Sequence, residues 1–371
     1  MITGLAWDTP LGRDREAVWE RLCAGDSALA PVHSPHPLRN TAAAVIASVP
    51  YGTRAGERQR VLAGRTLSRA FADAGLATTD PGVGLVLGTS FGACLDEAEP
   101  TLHAWADDAA AGIGHPGTPV CVMTACSAGS DAIAVAHALV RSGRRRACVA
   151  GGVDVVTEAK RLGHSALGTM SPTGLRAFDR ARDGMLLGEG AAFVVVEHPD
   201  SARERGARVY ARLRGVGAAN DAAGLTAPDP SGRAVLRAVE RCLASAGLAP
   251  ADIAVVNAHG TGTPLNDEIE ARSLLELFGD DGPLVFATKG ALGHSLGATG
   301  AIEAVATVLA LRHRRVPPVV GLRDPVAPLR LATGSAQPVG AGAGLSLTLG
   351  FGGFNTCLLF EAFASFEGVR T

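Results

Sequence analysis

Reactive side chains occur at three points of this 371-residue chain, each directly after an apolar run that predicts a strand. They are Cys126, His259 and the pair formed by Lys289 and His294. In open α/β sheets, ligand groups gather where the carboxyl ends of strands meet, so these side chains can share one crevice. A thiol beside imidazoles combines a nucleophile with proton donors, which suits acyl transfer.

Cys126 stands between the apolar run 119–125 and a helical pattern over 131–141. The pattern predicts a buried strand, a sharp turn and a helix start. A thiol there faces the positive end of the helix dipole, which favours the thiolate, and its own N–H can point at a substrate oxyanion. The alternative is a small buried residue without chemistry, which this stretch alone favours, because most free cysteines are of that kind.

Each histidine also has a structural alternative, of about equal weight when it is taken alone. His259 lies in a Gly/Thr turn and can be a hydrogen-bonded loop residue. His294 lies between Gly293 and Gly297, which permit close backbone approach, and it has the same alternative. The hypothesis of a catalytic role rests on their occurring together with the thiol.

Lysine is rare in this chain, since among 34 basic residues only Lys160 and Lys289 are lysines. A lysine where arginine is the usual cation indicates a need for a compact ammonium with a tunable pKa. Glu303 lies on an otherwise apolar helix, 298–311, and a buried carboxylate needs a partner, for which Lys289 is the nearest lysine. The alternative is a solvent-exposed glutamate at the helix edge.

The stretch 350–353 is a glycine-rich loop around one aromatic residue, Phe351. Glycines permit close backbone approach and movement, so Phe351 is a candidate gate. The alternative is a β-bulge that packs a core phenylalanine, which would be preferred without the other motifs.

Composition narrows the class of protein. With 47% hydrophobic and 19% charged residues, the chain is predicted to be globular, as one large two-lobed domain or two to three smaller ones. A net charge of −2 and the lack of a basic stripe with interleaved aromatics argue against nucleic acid as a partner. The 7 cysteines form no CxxC pair, so neither a disulfide framework nor a structural zinc site is expected.

No membrane association is expected either. The N-terminal stretch lacks a basic region followed by an apolar one, and no uncharged apolar run reaches membrane-spanning length. We therefore expect a soluble cytoplasmic protein.

The periodicity predicts an α/β chain whose element order occurs twice, once before residue 200 and once after it. The predicted strands are 2–6, 45–49, 83–87, 147–152, 191–196, 208–214, 253–258, 284–288, 344–349 and 356–360. The predicted helices are 14–23, 57–75, 131–141, 198–207, 233–246, 267–277 and 298–312, with a Gly- and Ser-bearing loop over 163–176. Because 147–151 with 191–196 corresponds to 344–349 with 356–360, we infer a pseudo-duplicated fold with mixed sheets between helix layers.

Four motifs together resemble the β-ketoacyl-acyl carrier protein synthases, the elongating ketosynthases of the thiolase superfamily. They are Thr-Ala-Cys-Ser-Ala-Gly at 124–129, Asn-Ala-His-Gly-Thr-Gly-Thr-Pro at 257–264, Lys-Gly-Ala-Leu-Gly-His at 289–294 and Gly-Phe-Gly-Gly-Phe-Asn at 350–355. The resemblance implies a thiolase-like fold with α-β-α-β-α layers. Residues 1–200 would form the half with the nucleophilic cysteine, and residues 201–371 the half with the two histidines and the lysine.

The resemblance implies a role for each reactive residue. Cys126 would accept the acyl chain as a thioester, and its backbone N–H and that of Phe351 would form the oxyanion hole. His259 and His294 would promote decarboxylation of a malonyl extender and stabilise the enolate. Lys289, held by Glu303, would order the site around His294.

The resemblance also implies the binding partners. Thr261 and Thr263 match positions that contact the phosphopantetheine arm of an acyl carrier protein, and Phe351 matches a gating phenylalanine. No metal or redox cofactor is implied, since the substrates arrive on the carrier. The chain would form a homodimer, or a heterodimer with a chain-length-factor-like subunit.

Two departures from the family pattern stand out. The connection from Gly88 to Cys126 is short, leaving the Ala- and Gly-rich segment 103–118 where relatives have a helix that builds the dimer surface and acyl pocket. Near the gate, Leu349 replaces a common phenylalanine and Phe354 a common threonine. This ending is closer to ketosynthases of type II polyketide systems than to fatty-acid enzymes.

Three functions therefore stay open from the sequence. The first is a decarboxylative condensing enzyme of fatty-acid or polyketide elongation, which the pair His259 and His294 favours. The second is an acyltransferase that uses Cys126 without elongation. The third is a non-catalytic subunit that binds the carrier protein, for which Cys126 would be dispensable.

Overall fold

The structure is a computed structural model, and it describes residues 1–98 and 101–366. Its strands are β1 (Ile2–Asp8), β2 (Ala30–Pro31), β3 (Ala42–Ala43), β4 (Val83–Gly88), β5 (Val120–Val122), β6 (Ala147–Asp154), β7 (Gly190–Glu197), β8 (Ala211–Asn220), β9 (Ile253–Asn257), β10 (Leu284–Phe286), β11 (Arg315–Val316), β12 (Gln337–Pro338), β13 (Ala343–Gly350) and β14 (Phe354–Ala362). Its helices are α1 (Arg15–Cys23), α2 (Ala55–Ala74), α3 (Ala104–Gly112), α4 (Ala128–Arg141), α5 (Glu158–Ala166), α6 (Pro199–Glu204), α7 (Arg233–Ala246), α8 (Pro264–Phe278), α9 (Lys289–Leu292) and α10 (Thr299–His313).

The main sheet has 10 strands in the order β10-β9-β13-β14-β8-β1-β7-β6-β4-β5. Its two halves repeat one pattern, because β4 runs parallel to β5 and β6 as β9 does to β10 and β13. In each half an antiparallel pair follows, β6 with β7 and β13 with β14. The halves join where Ile2 faces Ala211. The predicted pseudo-duplicated α/β fold is confirmed.

Helices form three layers around the two halves of the sheet. The central layer contains α4 and α10, which contact each other, and α10 packs against β13 of one half and β7 of the other. Every residue of α10 from Thr299 to Leu311 is buried, which explains why its sequence is apolar on all sides. Helix α2 covers the outer face of the first half and α7 that of the second.

Two predicted strands differ from the structure. Residues 45–49 form a turn, because Ile46 and Val49 are anchored in the apolar cluster that includes Leu62 of α2. The strand predicted over 208–214 begins only at Ala211 and extends to Asn220. In the first case apolar residues are buried by packing against a helix rather than by strand pairing. In the second case the strand is present, paired with β14, but its start is shifted.

The segment before Cys126 contains a helix of 9 residues, α3, whose Trp105, Ala106 and Ala109 are buried. It packs on α2 and leads into β5, which is an edge strand of the sheet. Among the described residues, no helix combines the length and the hydropathy that crossing a bilayer requires. The predicted division of the chain at residue 200 falls within α6 and stays a prediction.

Candidate active site

Cys126 lies in a short 3₁₀ turn, Ala125–Ser127, between β5 and the start of α4. The turn is sharp because Ala125 has a φ of 52°, in the left-handed region that non-glycine residues rarely adopt. Gly350 closes against this turn, since a Cβ at that position would lie 3.3 Å from Ser127 N and from Thr124 O. The predicted strand, turn and helix start are therefore present, with the thiol at the corner. The strand is not buried as expected, because β5 is a 3-residue edge strand with Val120 exposed.

The thiolate expected at this corner is not favoured by the structure. Burial raises the pKa of the Cys126 thiol to about 11, although the backbone N–H of Phe351 donates to the sulfur and Lys289 lowers the pKa by its charge. A helix N-terminus stabilises an anion by about 0.3–1 kcal/mol, at most about 2. Because one pKa unit corresponds to about 1.4 kcal/mol, that effect leaves the thiol neutral at pH 7.

His259 follows β9 in a turn that a buried carboxylate holds. The backbone N–H groups of His259 and Gly260 donate to the two oxygens of Glu270, at 2.6 and 2.8 Å. The ammonium of Lys289 lies 3.2 Å from Nδ1 of His259, so Nδ1 accepts and the ring proton is assigned to Nε2. Burial and the Lys289 charge hold the pKa of His259 well below its usual value, which keeps the imidazole neutral.

His294 has the same assigned tautomer as His259. The N–H of Leu296 donates to Nδ1 of His294 at 3.1 Å, which again assigns the ring proton to Nε2. Burial, followed by the Lys289 charge, lowers the pKa of His294 well below its usual value. The two rings meet edge to face with centroids 5.3 Å apart. The site thus holds two neutral imidazoles that serve as fixed N–H donors.

Lys289 and Glu303 form a fully buried ion pair, with Nζ 2.6 Å from Oε1. The ammonium also donates to the backbone oxygen of His259. Burial raises the pKa of Glu303 to about 7, although the charge and the hydrogen bond of Lys289 lower it. Glu303 is therefore not the exposed helix-edge residue that the sequence also allowed. Its second oxygen has no hydrogen-bond partner, and neither do the nearby Asn257 Oδ1 and Ser346 Oγ.

Replacing Lys289 with alanine is expected to lower the free energy of unfolding by about 3–5 kcal/mol near pH 8, because a buried carboxylate loses its partner. A carboxyl whose folded pKa is raised loses stability as pH rises from its unfolded pKa through its folded one. In the wild type this window runs from 4.5 to about 7. Without the lysine charge the window extends upwards, so the two proteins should differ most above neutral pH.

Urea unfolding at pH values between about 5 and 9 measures this effect. The double variant Lys289→Ala/Glu303→Gln is the control, since it removes the buried charge together with its partner. We expect it to recover part of the lost stability at high pH. A penalty for Lys289→Ala that is independent of pH would show that Glu303 is not the group responsible.

Phe351 begins the turn between β13 and β14, and its ring packs on His164 with centroids 5.8 Å apart. His164 was missed in the sequence because 163–176 was predicted as loop, whereas α5 continues to Ala166. Burial lowers the pKa of His164 to about 4, and Nδ1 lies 2.9 Å from the Thr169 hydroxyl. A third neutral imidazole thus supports the candidate gate from the N-terminal half.

One cavity of about 320 Å³ collects most of the predicted site residues. Those that line it are Cys126, His259, His294, Thr261, Thr263 and Phe351. The hydroxyls of Thr261 and Thr263 are 2.8 Å apart at its wall. Lys289 and Glu303 do not line the cavity but lie behind His259, so they act on it through that ring.

Buried carboxylates that sequence reasoning missed hold the loops of the site. Asp267 accepts the N–H groups of Gly262 and Phe178, as Glu270 does for the His259 turn. Asp154 pairs with Lys160 and accepts the N–H of Gly297, just beyond His294. The rarity of lysine was a signal for this second pair, because both lysines of the chain are buried in ion pairs.

Within residues 1–98 and 101–366, no three His, Cys, Asp or Glu side chains are placed to hold a metal ion. The groups that the site itself offers are one thiol, fixed N–H donors and a lysine behind them. Fixed donors of this kind can stabilise negative charge that develops on a substrate oxygen.

Family models match both halves of the chain. The β-ketoacyl synthase N-terminal domain matches residues 1–202 and the C-terminal domain matches residues 210–323. The chain belongs to the β-ketoacyl synthase family. The match covers both the Cys126 turn and the segments that carry the two histidines.

Curated relatives of the chain include two proteins named 3-oxoacyl-[acyl-carrier-protein] synthase 2. The Mycobacterium bovis protein is 39% identical over 253 residues, which are 66% of this chain and 60% of that protein. The Synechocystis protein is 37% identical over 262 residues, or 68% of this chain and 63% of that protein. The aligned regions thus span less than two thirds of the relatives' own length.

Solved structures of the same fold align along nearly the whole chain. The ishigamide ketosynthase/chain length factor is 28% identical, with a TM-score of 0.89 and 98% of each chain covered. A β-ketoacyl synthase from Burkholderia phymatum is 29% identical, with a TM-score of 0.88, covering 98% of this chain and 99% of that one. These similarities agree with the layered fold.

Proposed function

We propose that this chain is a ketosynthase that condenses an acyl group on Cys126 with a malonyl group delivered by an acyl carrier protein. One observation carries the proposal: the Cys126 thiol and two neutral imidazoles, His259 and His294, open into one cavity. A simple acyltransferase needs a nucleophile and one proton acceptor. Two fixed N–H donors beside the thiol instead suit the stabilisation of an enolate.

Acyl loading is the first step. The sulfur of Cys126 attacks the thioester carbonyl of the acyl carrier, and its proton passes to the departing phosphopantetheine sulfur. With a pKa of about 11, the thiol loses that proton during the reaction rather than beforehand. The N–H groups of Cys126 and Phe351 stabilise the tetrahedral oxyanion, since that of Phe351 already points at the sulfur.

Decarboxylation and condensation follow on the malonyl carrier. The Nε2–H groups of His259 and His294 donate to the thioester oxygen while the bond to the carboxylate breaks and carbon dioxide leaves. The enolate carbon attacks the Cys126 thioester, releases the thiolate and forms a β-ketoacyl carrier. Lys289, held by Glu303, keeps His259 oriented throughout by its contacts with Nδ1 and the backbone oxygen.

The carrier arm is proposed to run past Thr261 and Thr263, with Phe351 as the gate at the cavity. Replacing Thr263 with valine is expected to raise KM for the acyl carrier about two- to tenfold and to leave kcat nearly unchanged. The reason is that a neutral hydrogen bond contributes about 0.5–1.5 kcal/mol. Steady-state kinetics measure this split, and Thr263→Ser, which keeps the hydroxyl, is the control. A large fall in kcat at constant KM would contradict an arm-binding role.

A dimer is proposed through the edge of the sheet at β5. Four half-exposed apolar side chains lie on this edge strand or in the connection that leads to it from β4. They are Phe91, Leu95, Leu102 and Val120. An unpaired edge with apolar side chains is a surface that natural proteins cover. The partner is a second copy of this chain or a chain-length-factor-like subunit. The expected cytoplasmic location and the lack of a cofactor stay predictions.

Loading of Cys126 separates the proposal from its alternatives. The protein is incubated with acyl carrier, and its intact mass is measured before and after addition of malonyl carrier. A ketosynthase gains the acyl mass and loses it when carbon dioxide is released. Acylation without carbon dioxide release would favour the acyltransferase, and no acylation would favour the non-catalytic subunit.

A further inference from the structure

Asp131, in the first turn of α4, binds the nucleophile turn and the strand beyond the gate at the same time. Its Oδ2 accepts hydrogen bonds from the hydroxyls of Thr124 and Ser127, at 2.5 and 2.7 Å, on either side of Cys126. Its Oδ1 accepts from the Thr356 hydroxyl of β14 at 2.5 Å. One carboxylate therefore connects two segments that are remote in sequence.

A second hydrogen bond connects α4 with the same pair of strands. The hydroxyls of Ser130 on α4 and Thr348 on β13 are 2.8 Å apart. Thr348 stands opposite Thr356 in the antiparallel pair of β13 and β14. These two strands are joined by the turn that begins with Phe351, and β13, this turn and β14 are called the gate hairpin below. Both strands of the gate hairpin are therefore hydrogen-bonded to α4, the helix that follows Cys126.

We propose that Asp131 is a positioning residue that fixes the distance between the backbone N–H of Cys126 and that of Phe351. This inference rests on the proposed function, in which those two groups form the oxyanion hole. One donor belongs to the turn that Asp131 holds through Thr124 and Ser127. The other belongs to the hairpin that Asp131 holds through Thr356.

The contacts of Asp131 matter because the turn is strained, although the N–H of Ser127 donates to the Thr124 oxygen within it at 3.2 Å. Ala125 is in a left-handed conformation that costs a non-glycine residue on the order of 1–2 kcal/mol. Gly350 has no side chain that could hold the turn, and its contact with the turn is between backbone atoms. Displacing a reacting or stabilising group by about 1 Å can slow an enzyme about 10²-fold. Loss of the Thr356 contact is therefore expected to slow the step in which the oxyanion forms.

The test replaces Thr356 with valine, which has the same shape but cannot donate to Asp131. A second cavity of about 290 Å³ reaches Asp131 and Thr356, so water can bind the freed oxygen and the fold is expected to persist. Thr3→Val is the matched control, because Thr3 is also a buried strand threonine that donates to a carboxylate, at 2.8 Å. Thr356→Ser restores the donor.

We expect Thr356→Val to load Cys126 about tenfold to a hundredfold more slowly, while carbon dioxide release from malonyl carrier, which depends on the two histidines, stays near the wild-type rate. Thr3→Val and Thr356→Ser should load as the wild type does. Normal loading by Thr356→Val, or an equal fall in loading and carbon dioxide release, would overturn the proposal.

A second readout needs no substrate. The N–H of Phe351 lowers the pKa of the Cys126 thiol, so a loosened hairpin should shift the alkylation of Cys126 by iodoacetamide to higher pH. An unshifted alkylation profile in Thr356→Val would overturn the positioning role. If the wild type neither loads nor releases carbon dioxide but the profile shifts, the positioning holds and the proposed function fails.

Discussion

Replacing Cys126 with alanine is expected to abolish acyl loading and to lower condensation by about 10⁴-fold or more, because the only group that forms the thioester is removed. The variant should still release carbon dioxide from malonyl carrier, since His259 and His294 and the cavity are retained. Alanine is smaller than cysteine by one sulfur atom, so the turn is expected to keep its conformation. Intact-mass measurement after incubation with acyl carrier checks the result.

Cys148→Ala is the matched control for this variant. Cys148 is a fully buried cysteine on β6, and its pKa is also raised by burial to about 11, but it does not line the cavity. We expect it to load like the wild type. Acylation of the Cys126→Ala protein at any stoichiometric level would mean that another residue is the nucleophile.

The second large effect concerns His294. Its replacement with alanine is expected to abolish condensation while self-acylation of Cys126 stays measurable, because the Nε2–H of His294 acts on the malonyl thioester and not on the loading step. Loss of one such donor typically costs about 10²–10³-fold in kcat. The measurement compares acyl loading with release of carbon dioxide in single-turnover reactions.

His294→Gln provides the control, because its side-chain amide can place an N–H near the position of Nε2. We expect partial recovery of carbon dioxide release relative to His294→Ala. The neutral state of the imidazole predicts little dependence of the decarboxylation rate on pH around 7, since burial holds the pKa of His294 well below its usual value. If both variants lost loading and decarboxylation equally, the assigned role would be wrong.

Local patterns in the sequence are sufficient to predict most of the fold. Alternating apolar runs and helical periodicity give the order of β1, α2, β4, α4, β6 and β7 and its repetition from β8 to β14. They also place Cys126, His259 and Lys289 at strand ends, where the parallel strands bring them together. The strand predicted over 45–49 is wrong because periodicity alone does not show whether apolar residues are buried by strand pairing or by contact with a helix.

Burial and long-range contacts are what the sequence could not supply. The thiol pKa depends on complete desolvation of Cys126, whereas its position at a helix start indicated the opposite direction. His164 lies 187 residues from Phe351 and in the last turn of a helix, so no local pattern connects the two rings. The contacts of Asp131 with Thr356 span 225 residues and depend on the packing of α4 against the gate hairpin.

A doubly labelled condensation tests the central claim most directly. Acyl carrier with a deuterated acyl group and malonyl carrier with ¹³C at C2 are mixed with the protein, and the carrier-bound product is identified by mass spectrometry. The account predicts a β-ketoacyl carrier that contains both labels, with one carbon dioxide released per product. Cys126→Ala should form no such doubly labelled product, although it still releases carbon dioxide from malonyl carrier. Labelled acyl groups that remain on Cys126, or move to an acceptor without the ¹³C label, would contradict it.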